Sequence, residues 1–302
     1  MAKADAATDT KSLRSGRFAP YAMSTPGVVW LYLFFLVPMV TLLKIALSTK
    51  PNRLLPEFEF NWHWENFRTA FSQYSEQLIR AFVYAGISTL LCVLIAYPIA
   101  YFIAFKAGRW KNVMLGAVML PFFTSFLLRT ISWQSLLADE GPVLWFLEKL
   151  HLIGLLDALH VTEDGRIINT QSAVIGGLTY NFLPFALLPI YVSLEKIDKR
   201  LVEAAQDLYS SFGQAFRKVI LPLSMPGVFA GTLLCFIPAV GDFINAKLLG
   251  NTNTQVIGEV VQSRFLNQND YPTAAAISFV VMVIITAIVL VYARFLGTED
   301  LV

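Results

Sequence analysis

Few side chains in this sequence could do chemistry, and they form no catalytic pattern. The three histidines, His63, His151 and His160, are isolated, and Cys92 and Cys235 both lie in apolar runs. Neither residue type therefore predicts a metal site or a disulfide framework. The chain also lacks a Walker-type phosphate loop, a His-Glu-x-x-His helix and a nucleophile elbow. We expect no catalytic residues, no metal and no cofactor in this chain.

One carboxylate stands inside a long apolar run. Asp242 follows Pro238 and Gly241, residues that kink or unwind a helix. A carboxylate at the middle of a membrane helix costs about 2.5–3.5 kcal/mol, and exposed backbone at that depth must line a cavity or be buried in protein. The segment is therefore predicted to face a pathway, where Asp242 attracts a cationic group. The alternatives are a carboxylate in water at a helix end, or one paired with Lys247 or Arg129.

Aromatic side chains near this segment could provide cation–π faces. The chain has 24 Phe, 11 Tyr and 6 Trp, so most of them are expected to pack or to lie at interfaces. Trp133, Tyr180, Phe185 and Phe243 are the candidates for such a face. Arg129 is expected near the outer end of its span, where it anchors that end or pairs with an acid.

A second group of polar residues lies in a segment of about 30 residues, 195–224, between two apolar runs. Asp198 is a plausible N-cap of a helix, and Glu203 and Asp207 share one face. Ser210, Ser211 and Gly213 predict a break, followed by a short helix that leads into Leu221-Pro222. The apolar residues recur at helical spacing and form another face: Leu201, Ala204, Ala205, Leu208 and Phe212. This exposed stripe must contact a partner, the membrane surface or the ends of the chain's own helices.

Composition indicates that lipid surrounds most of the chain. Its 302 residues are 56% hydrophobic and 15% charged, with a mean hydropathy of +0.59. An average soluble domain has about 25% charged residues. These values exclude a disordered chain, a basic nucleic-acid-binding protein and most soluble enzymes. The net charge of +2 does not call for a polyanionic partner.

Uncharged runs predict six spanning helices, since about 20 apolar residues cross the hydrocarbon core. The runs are continuous rather than alternating, which favours helices over a β-barrel. The first run is too long for a cleaved signal peptide, so we expect it to be retained. Residues 1–25 should form a flexible tail, and 26–296 should form the membrane domain. The predicted spans are 26–47, 81–105, 113–135, 171–193, 226–249 and 273–295.

The distribution of Lys and Arg predicts that both termini are cytoplasmic. Four basic residues, Lys50, Arg53, Arg68 and Arg80, fall on the other side, but they lie in a longer loop where the rule is weaker. The cytoplasmic side would carry Lys3, Lys11, Arg14, Arg17, Lys106, Arg109, Lys111, Lys196, Lys199, Arg200, Arg217, Lys218 and Arg294.

The segment Glu203-Ala204-Ala205, followed at the appropriate distance by Leu221-Pro222, resembles the EAA loop of ABC importer permeases. In that family the loop forms a coupling helix that docks in a groove of the ATPase subunit. The family usually has glycine six residues after the glutamate, whereas this sequence has Tyr209. We therefore expect the turn to be shifted toward Gly213.

The resemblance extends over roughly residues 28–295 and is to the spermidine/putrescine branch of these permeases. It implies an all-α, six-helix bundle like that of type I importer permeases, in the bacterial cytoplasmic membrane. It also implies a second permease, two ATPase subunits that bind ATP and Mg, and an extracytoplasmic substrate-binding protein. The motifs that carry it are Leu120–Trp133, Tyr191–Asp198, Pro226-Gly227, Phe236–Phe243, Gly250, Ile257-Gly258 and Phe265.

By the same resemblance, the residues that couple to the ATPase are Glu203, Ala204, Ala205, Asp207, Leu208, Gly213, Leu221 and Pro222. The substrate pathway would contain Asp242, Phe243, Trp133 and Tyr180. Related permeases carry other small solutes, so the solute is less constrained than the family. A stand-alone channel or secondary transporter would not explain the amphipathic segment, and a membrane enzyme would need a polar cluster that the sequence lacks.

Overall fold

The computed structural model describes residues 19–50, 58–158, 161–163, 165–209 and 211–296. Most of the predicted tail, His160 and Ser210 lie outside these residues. The described chain is almost entirely helical. Its α-helices are α1 (Ala19–Leu31), α2 (Val37–Ala46), α3 (Glu65–Phe105), α4 (Lys111–Met119), α5 (Phe126–Leu137), α6 (Pro142–Lys149), α7 (Ile153–Ala158), α8 (Gln171–Glu195), α9 (Lys199–Tyr209), α10 (Phe212–Ala215), α11 (Leu221–Gly241), α12 (Ile244–Leu249), α13 (Ile257–Gln262) and α14 (Tyr271–Leu296).

Helices α3, α8 and α11 form the centre of the bundle, and small residues bring them close together. A Cβ on Gly227 of α11 would lie 2.5 Å from the Pro189 carbonyl oxygen of α8, and one on Gly231 would lie 3.0 Å from that of Ala186. Helices in lipid associate through this kind of close backbone approach, because no hydrophobic force between them is available. Small side chains are also buried along α3, at Ala85, Ala96 and Ala100.

Helix α14 packs against α2 and α3 on one side of this centre. Its Ala275 and Ala276 are buried against Ala46 at the end of α2. A two-stranded antiparallel hairpin, β1 (Ser48–Thr49) with β2 (Glu59–Phe60), then joins α2 to α3.

Among the described residues, five helical stretches are long and apolar enough to cross a membrane, and a bent helix pair would make a sixth. Helix α3 begins at Glu65, well before the predicted start at 81. The first turns of α3 are polar. Hydropathy did not predict them, because an apolar run marks only the part of a helix that lies in hydrocarbon. The fourth and sixth predicted spans, 171–193 and 273–295, coincide closely with α8 and α14.

The third predicted span, 113–135, is not one straight helix. A helical stretch that ends at Phe123 is followed by an extended Thr124 and Ser125, and the chain turns by 93° before α5 begins at Phe126. Pro121, in the last turn before the break, cannot donate a backbone hydrogen bond. The apolar composition continues through this break, which is why hydropathy alone predicted an unbroken span.

Contacts with α8 give the depth of this break. Lys111 at the start of α4 pairs with Glu195 at the last residue of α8. Phe122 contacts Phe185 with ring centroids 4.8 Å apart, ten residues before that end, or about 15 Å along the helix. The break in the third span therefore lies near the middle of the bilayer.

The fifth predicted span, 226–249, is also divided. Helical structure begins at Gly213 and continues to Gly241, through a π-helical turn at Phe216–Ile220. Asp242 is extended, with φ −71° and ψ 128°, and α12 follows separately. The predicted coupling segment therefore merges with the span about ten residues earlier than the sequence analysis expected.

The start of α1, the end of α14 and the segment after α8 lie at the same end of the bundle. Tyr292 near the end of α14 stacks on Phe229 near the start of α11, with ring centroids 4.7 Å apart. The opposite ends of α2 and α14 meet through Lys50 Nζ, which donates to the Asn269 carbonyl oxygen at 2.5 Å. The described chain ends therefore share a side of the bundle with α9.

Candidate functional site

Helix α9 is an amphipathic helix outside the spans. The Asp198 carboxylate accepts a hydrogen bond from the Arg200 backbone N–H at 2.9 Å, which caps the start of the helix as predicted. Among the described elements, its main contacts are with α10 and the π-helical turn at the start of the fifth span. One face of α9 therefore remains without a partner.

The unpartnered face carries large apolar side chains. Leu201 is 52% exposed and Leu208 is 79% exposed. Ala204 is exposed between them, and so are the carboxylates of Glu203 and Asp207. An exposed apolar stripe flanked by acidic groups is suited to a basic protein groove.

The other predicted coupling residues lie around α9 in the sequence. Ala205 belongs to α9, and Gly213 lies in α10 with no atom within 4 Å of where a Cβ would stand. The predicted break is present, since Ser211 lies between α9 and α10, but it comes before Gly213, which is inside a helix. Leu221 and Pro222 begin α11 directly after the π-helical turn, inside the continuous helical stretch from Gly213 to Gly241. Helix α9 is in this way connected to the fifth span by a few helical turns.

A second group of polar residues is buried where the two broken spans meet α8. Thr130 of α5, Asn181 of α8 and Asn245 of α12 are all fully buried. The Asn181 amide donates to Thr130 Oγ1 at 3.2 Å and to Asn245 Oδ1 at 3.1 Å. These bonds tie both broken spans to the central helix.

Asp242 is the charged end of this cluster. One carboxylate oxygen accepts from the Ile244 N–H at 3.1 Å, and the other accepts from the Asn245 N–H at 3.1 Å and its side-chain amide at 2.7 Å. Asp242 therefore caps α12. Among the described residues it forms no ion pair with Lys247 or Arg129, so that alternative is wrong.

Gly177 and Gly258 let other segments approach this cluster. A Cβ on Gly177 would lie 2.7 Å from Asn245 Oδ1 and would collide with Leu249. A Cβ on Gly258 of α13 would lie 2.7 Å from the Gly241 carbonyl oxygen, so α13 crosses directly over the end of α11. Both glycines are required by packing.

The predicted aromatic residues fall into two places. Trp133 and Tyr180 contact each other edge to face, with centroids 5.3 Å apart, beside the buried polar cluster. Phe243 instead lines a cavity of about 770 Å³ between α11, α13 and α14, together with Ile237, Gly241 and Phe265. The structure does not bring these aromatic side chains into one site. Phe185 packs on Phe122 at the break of the third span.

Glu259 of α13 is a second carboxylate in this region. Burial raises its pKa above the ordinary range, and the nearby Lys247 partly lowers the pKa again. Lys247 also lies 3.4 Å from the side-chain oxygen of Gln262. Sequence reasoning missed Glu259, because it lies in a short polar stretch between two spans.

Thr130, Asn181 and Asn245 were likewise not predicted from the sequence. Each is an uncharged polar residue in or beside an apolar run. An asparagine inside a spanning helix is a usable signal, since its amide must find partners in the absence of water. Which partners it finds is not readable from the sequence.

Comparisons with known proteins agree with this architecture. Residues 14–296 match the family model described as binding-protein-dependent transport system inner membrane component. The spermidine/putrescine transport system permease protein PotB of Haemophilus influenzae is 36% identical over 266 residues, which is 88% of this chain and 90% of that protein. PotB of Escherichia coli K12 is 35% identical over 268 residues, covering 88% and 94%. The crystal structure of a bacterial ABC transporter that imports alginate contains a chain with a TM-score of 0.63 at 19% identity, covering 93% of this chain and 96% of that one.

Proposed function

The chain belongs to the family of binding-protein-dependent transport system inner membrane components and is the permease subunit of an ABC importer; on this premise we propose that it imports polyamines such as spermidine and putrescine. The observation that carries this substrate is the similarity to the spermidine/putrescine permeases PotB, which are 35–36% identical over most of their length. The half-buried carboxylate of Asp242 supports it, because a negative charge attracts polycations.

The unpartnered face of α9 is the proposed docking site for the ATPase. Leu201 and Leu208 would bury their exposed surface in a groove of that subunit, with Glu203 and Asp207 toward basic groups at its rim. The short helical connection from α9 to Leu221 then transmits movement of the ATPase to the fifth span. The nucleotide-bound ATPase must favour the outward-open state by about 5.5 kcal/mol to invert a 99:1 equilibrium.

The other components of the transporter are separate chains. Two ATPase subunits bind ATP and Mg, a second permease completes the pathway, and an extracytoplasmic binding protein delivers the solute. The side of the membrane that holds α9 and both described chain ends is proposed to be cytoplasmic, in keeping with its many basic residues.

The proposed pathway passes the break after Gly241. Backbone that leaves helical geometry at membrane depth is tolerated where it lines a cavity, and broken spans supply substrate sites in many transporters. Phe243, Trp133 and Tyr180 offer faces for ammonium groups. Asp242 contributes its charge, while its oxygen atoms remain occupied by the cap of α12.

The Glu203→Lys substitution tests the coupling in the assembled complex. We expect loss of solute-stimulated ATP hydrolysis and of labelled spermidine uptake, while insertion of the chain stays normal. Glu148→Lys is the matched control, since Glu148 is exposed on α6 toward the opposite end of the bundle. Unchanged stimulation in Glu203→Lys would refute the role of α9. Normal coupling without uptake of any polyamine would redirect the proposal to another small solute.

A further inference from the structure

The broken third span leaves an unusual arginine near the middle of the bilayer. The Arg129 guanidinium lies over the rings of Phe122 and Phe126, with its central carbon 5.2 Å and 5.6 Å from the ring centroids. Its Nε and Nη1 atoms are buried and have no hydrogen-bond partner among the described residues. No carboxylate in the described chain pairs with it.

Arg129 is not at the outer end of its span, where the sequence analysis expected it. The next residue, Thr130, bonds to Asn181 in the middle part of α8. Asn181 is ten residues after the first residue of α8, about 15 Å along the helix. A guanidinium at that depth, held against the Phe122 and Phe126 rings, cannot reach a lipid phosphate. A charge without a partner in this position is costly.

The backbone at the break also needs a negatively charged acceptor. Ser125 precedes α5 without a side-chain cap. Within the described residues, the N–H groups of Phe126, Leu127 and Leu128 have no acceptor. The positive end of α5 and the Arg129 guanidinium therefore lie together, and both favour a negatively charged acceptor.

The surface around Arg129 is apolar and exposed. Phe123 is 90% exposed, and large exposed fractions are also found at Leu120, Leu127 and Leu128. Thr124 and Ser125 are exposed as well. Such uncovered, non-helical backbone is not tolerated against lipid tails, so this surface must contact protein or water in the working assembly.

We propose that this surface, residues 120–129, is a contact site for the second permease, which supplies a carboxylate to Arg129. The inference rests on the proposed assembly with a second permease. Charge complementarity selects the partner group, because two positive features at one site need an acid that the described chain does not provide. The surrounding apolar side chains exclude water from the pair, as at the centre of a protein interface.

The experiment uses the complete complex, expressed with its partner subunits. The photoreactive amino acid p-benzoylphenylalanine replaces Phe123, and the adducts are identified by mass spectrometry. We expect an adduct with the second permease. Arg129→Gln should lower the adduct yield by about tenfold or more, the loss typical of breaking a buried charge pair. The matched control is Arg109→Gln, which replaces an exposed arginine just before the start of α4 and should keep the wild-type yield.

Two readouts separate the outcomes. The unfolding midpoint of the Arg129→Gln chain alone should be no lower than that of the wild type, because the substitution removes a charge that has no ion pair within the described chain. Adducts with phospholipid, or an unchanged adduct yield in Arg129→Gln, would overturn the contact site. In that case, normal polyamine uptake by the wild-type complex would still support the proposed function. If no second permease purifies with the wild-type chain, both the contact site and the proposed assembly fail.

Discussion

The Leu208→Ser substitution gives the most direct test of the exposed face of α9. Leu208 is 79% exposed in the isolated chain, so its replacement removes little packing from the fold itself. The same exposure means that docking of an ATPase would bury most of this side chain for the first time. The variant should therefore lose affinity for the ATPase without losing stability.

The size of the effect follows from the exposed fraction. Complete burial of a leucine side chain contributes about 1.5–3 kcal/mol, and 79% of that is about 1.2–2.4 kcal/mol. At 1.4 kcal/mol per factor of ten, the ATPase should bind about 7- to 50-fold more weakly. For Leu201, which is 52% exposed, the same reasoning gives about 4- to 14-fold for Leu201→Ser.

The measurement is the dissociation constant between the purified chain in nanodiscs and the isolated ATPase, with the unfolding midpoint recorded in parallel. Leu150→Ser is the control, because Leu150 is 50% exposed just after α6 and lies far from α9. Equal affinities for Leu208→Ser and Leu150→Ser would refute the docking face. So would a larger loss for Leu201→Ser than for Leu208→Ser, since the effect is expected to follow exposure.

Four further predictions concern the buried cluster and its surroundings. Gly177→Val should lower the unfolding free energy by about 1–3 kcal/mol, because its side chain would collide with α12; Gly176→Val, with nothing within 4 Å, should leave the midpoint in detergent unchanged. Asn245→Leu should cost about 1–3 kcal/mol in the same measurement, since the buried Asn181 amide and the half-buried Asp242 carboxylate each lose a partner. A wild-type midpoint would contradict the cluster. Asp242→Asn should weaken uptake of labelled polyamines specifically, and an unaffected rate would leave Asp242 with a structural role alone. Burial raises the pKa of Glu259 in the folded chain, so the folded state binds more protons than the unfolded state does. The free energy of unfolding should therefore fall as pH rises from the ordinary carboxyl pKa through the raised one. Glu259→Gln should remove this pH dependence of the unfolding midpoint.

Hydropathy located the spans well where the helix is simple. Helices α8 and α14 match their predicted ranges within a few residues, because a continuous apolar run has one stable arrangement in lipid. It failed at the breaks after Phe123 and Gly241. A break changes backbone geometry without changing composition, so an average over apolar residues passes over it.

The candidate sites divide in the same way. The amphipathic pattern and the cap at Asp198 predicted α9, and both are local properties of a helix. The role of Asp242 needed the fold, because its three donors depend on the backbone direction after Gly241 and on the rotamer of Asn245. The partners of Asn181 come from segments about 50 and 64 residues away, a distance in sequence that carries no periodic signal.

The sequence by itself determined that lipid surrounds most of the chain, that the fold is all helical and which family the chain belongs to. Each of these depends on composition, on the 3.6-residue period or on short motifs, and all are fixed before any two helices meet. Only the tertiary structure decided that two spans are broken, that their ends join α8 through a buried polar cluster, and that Arg129 has no partner within the described chain. Those features depend on which backbone groups remain unsatisfied after packing, and packing is a property of the whole bundle.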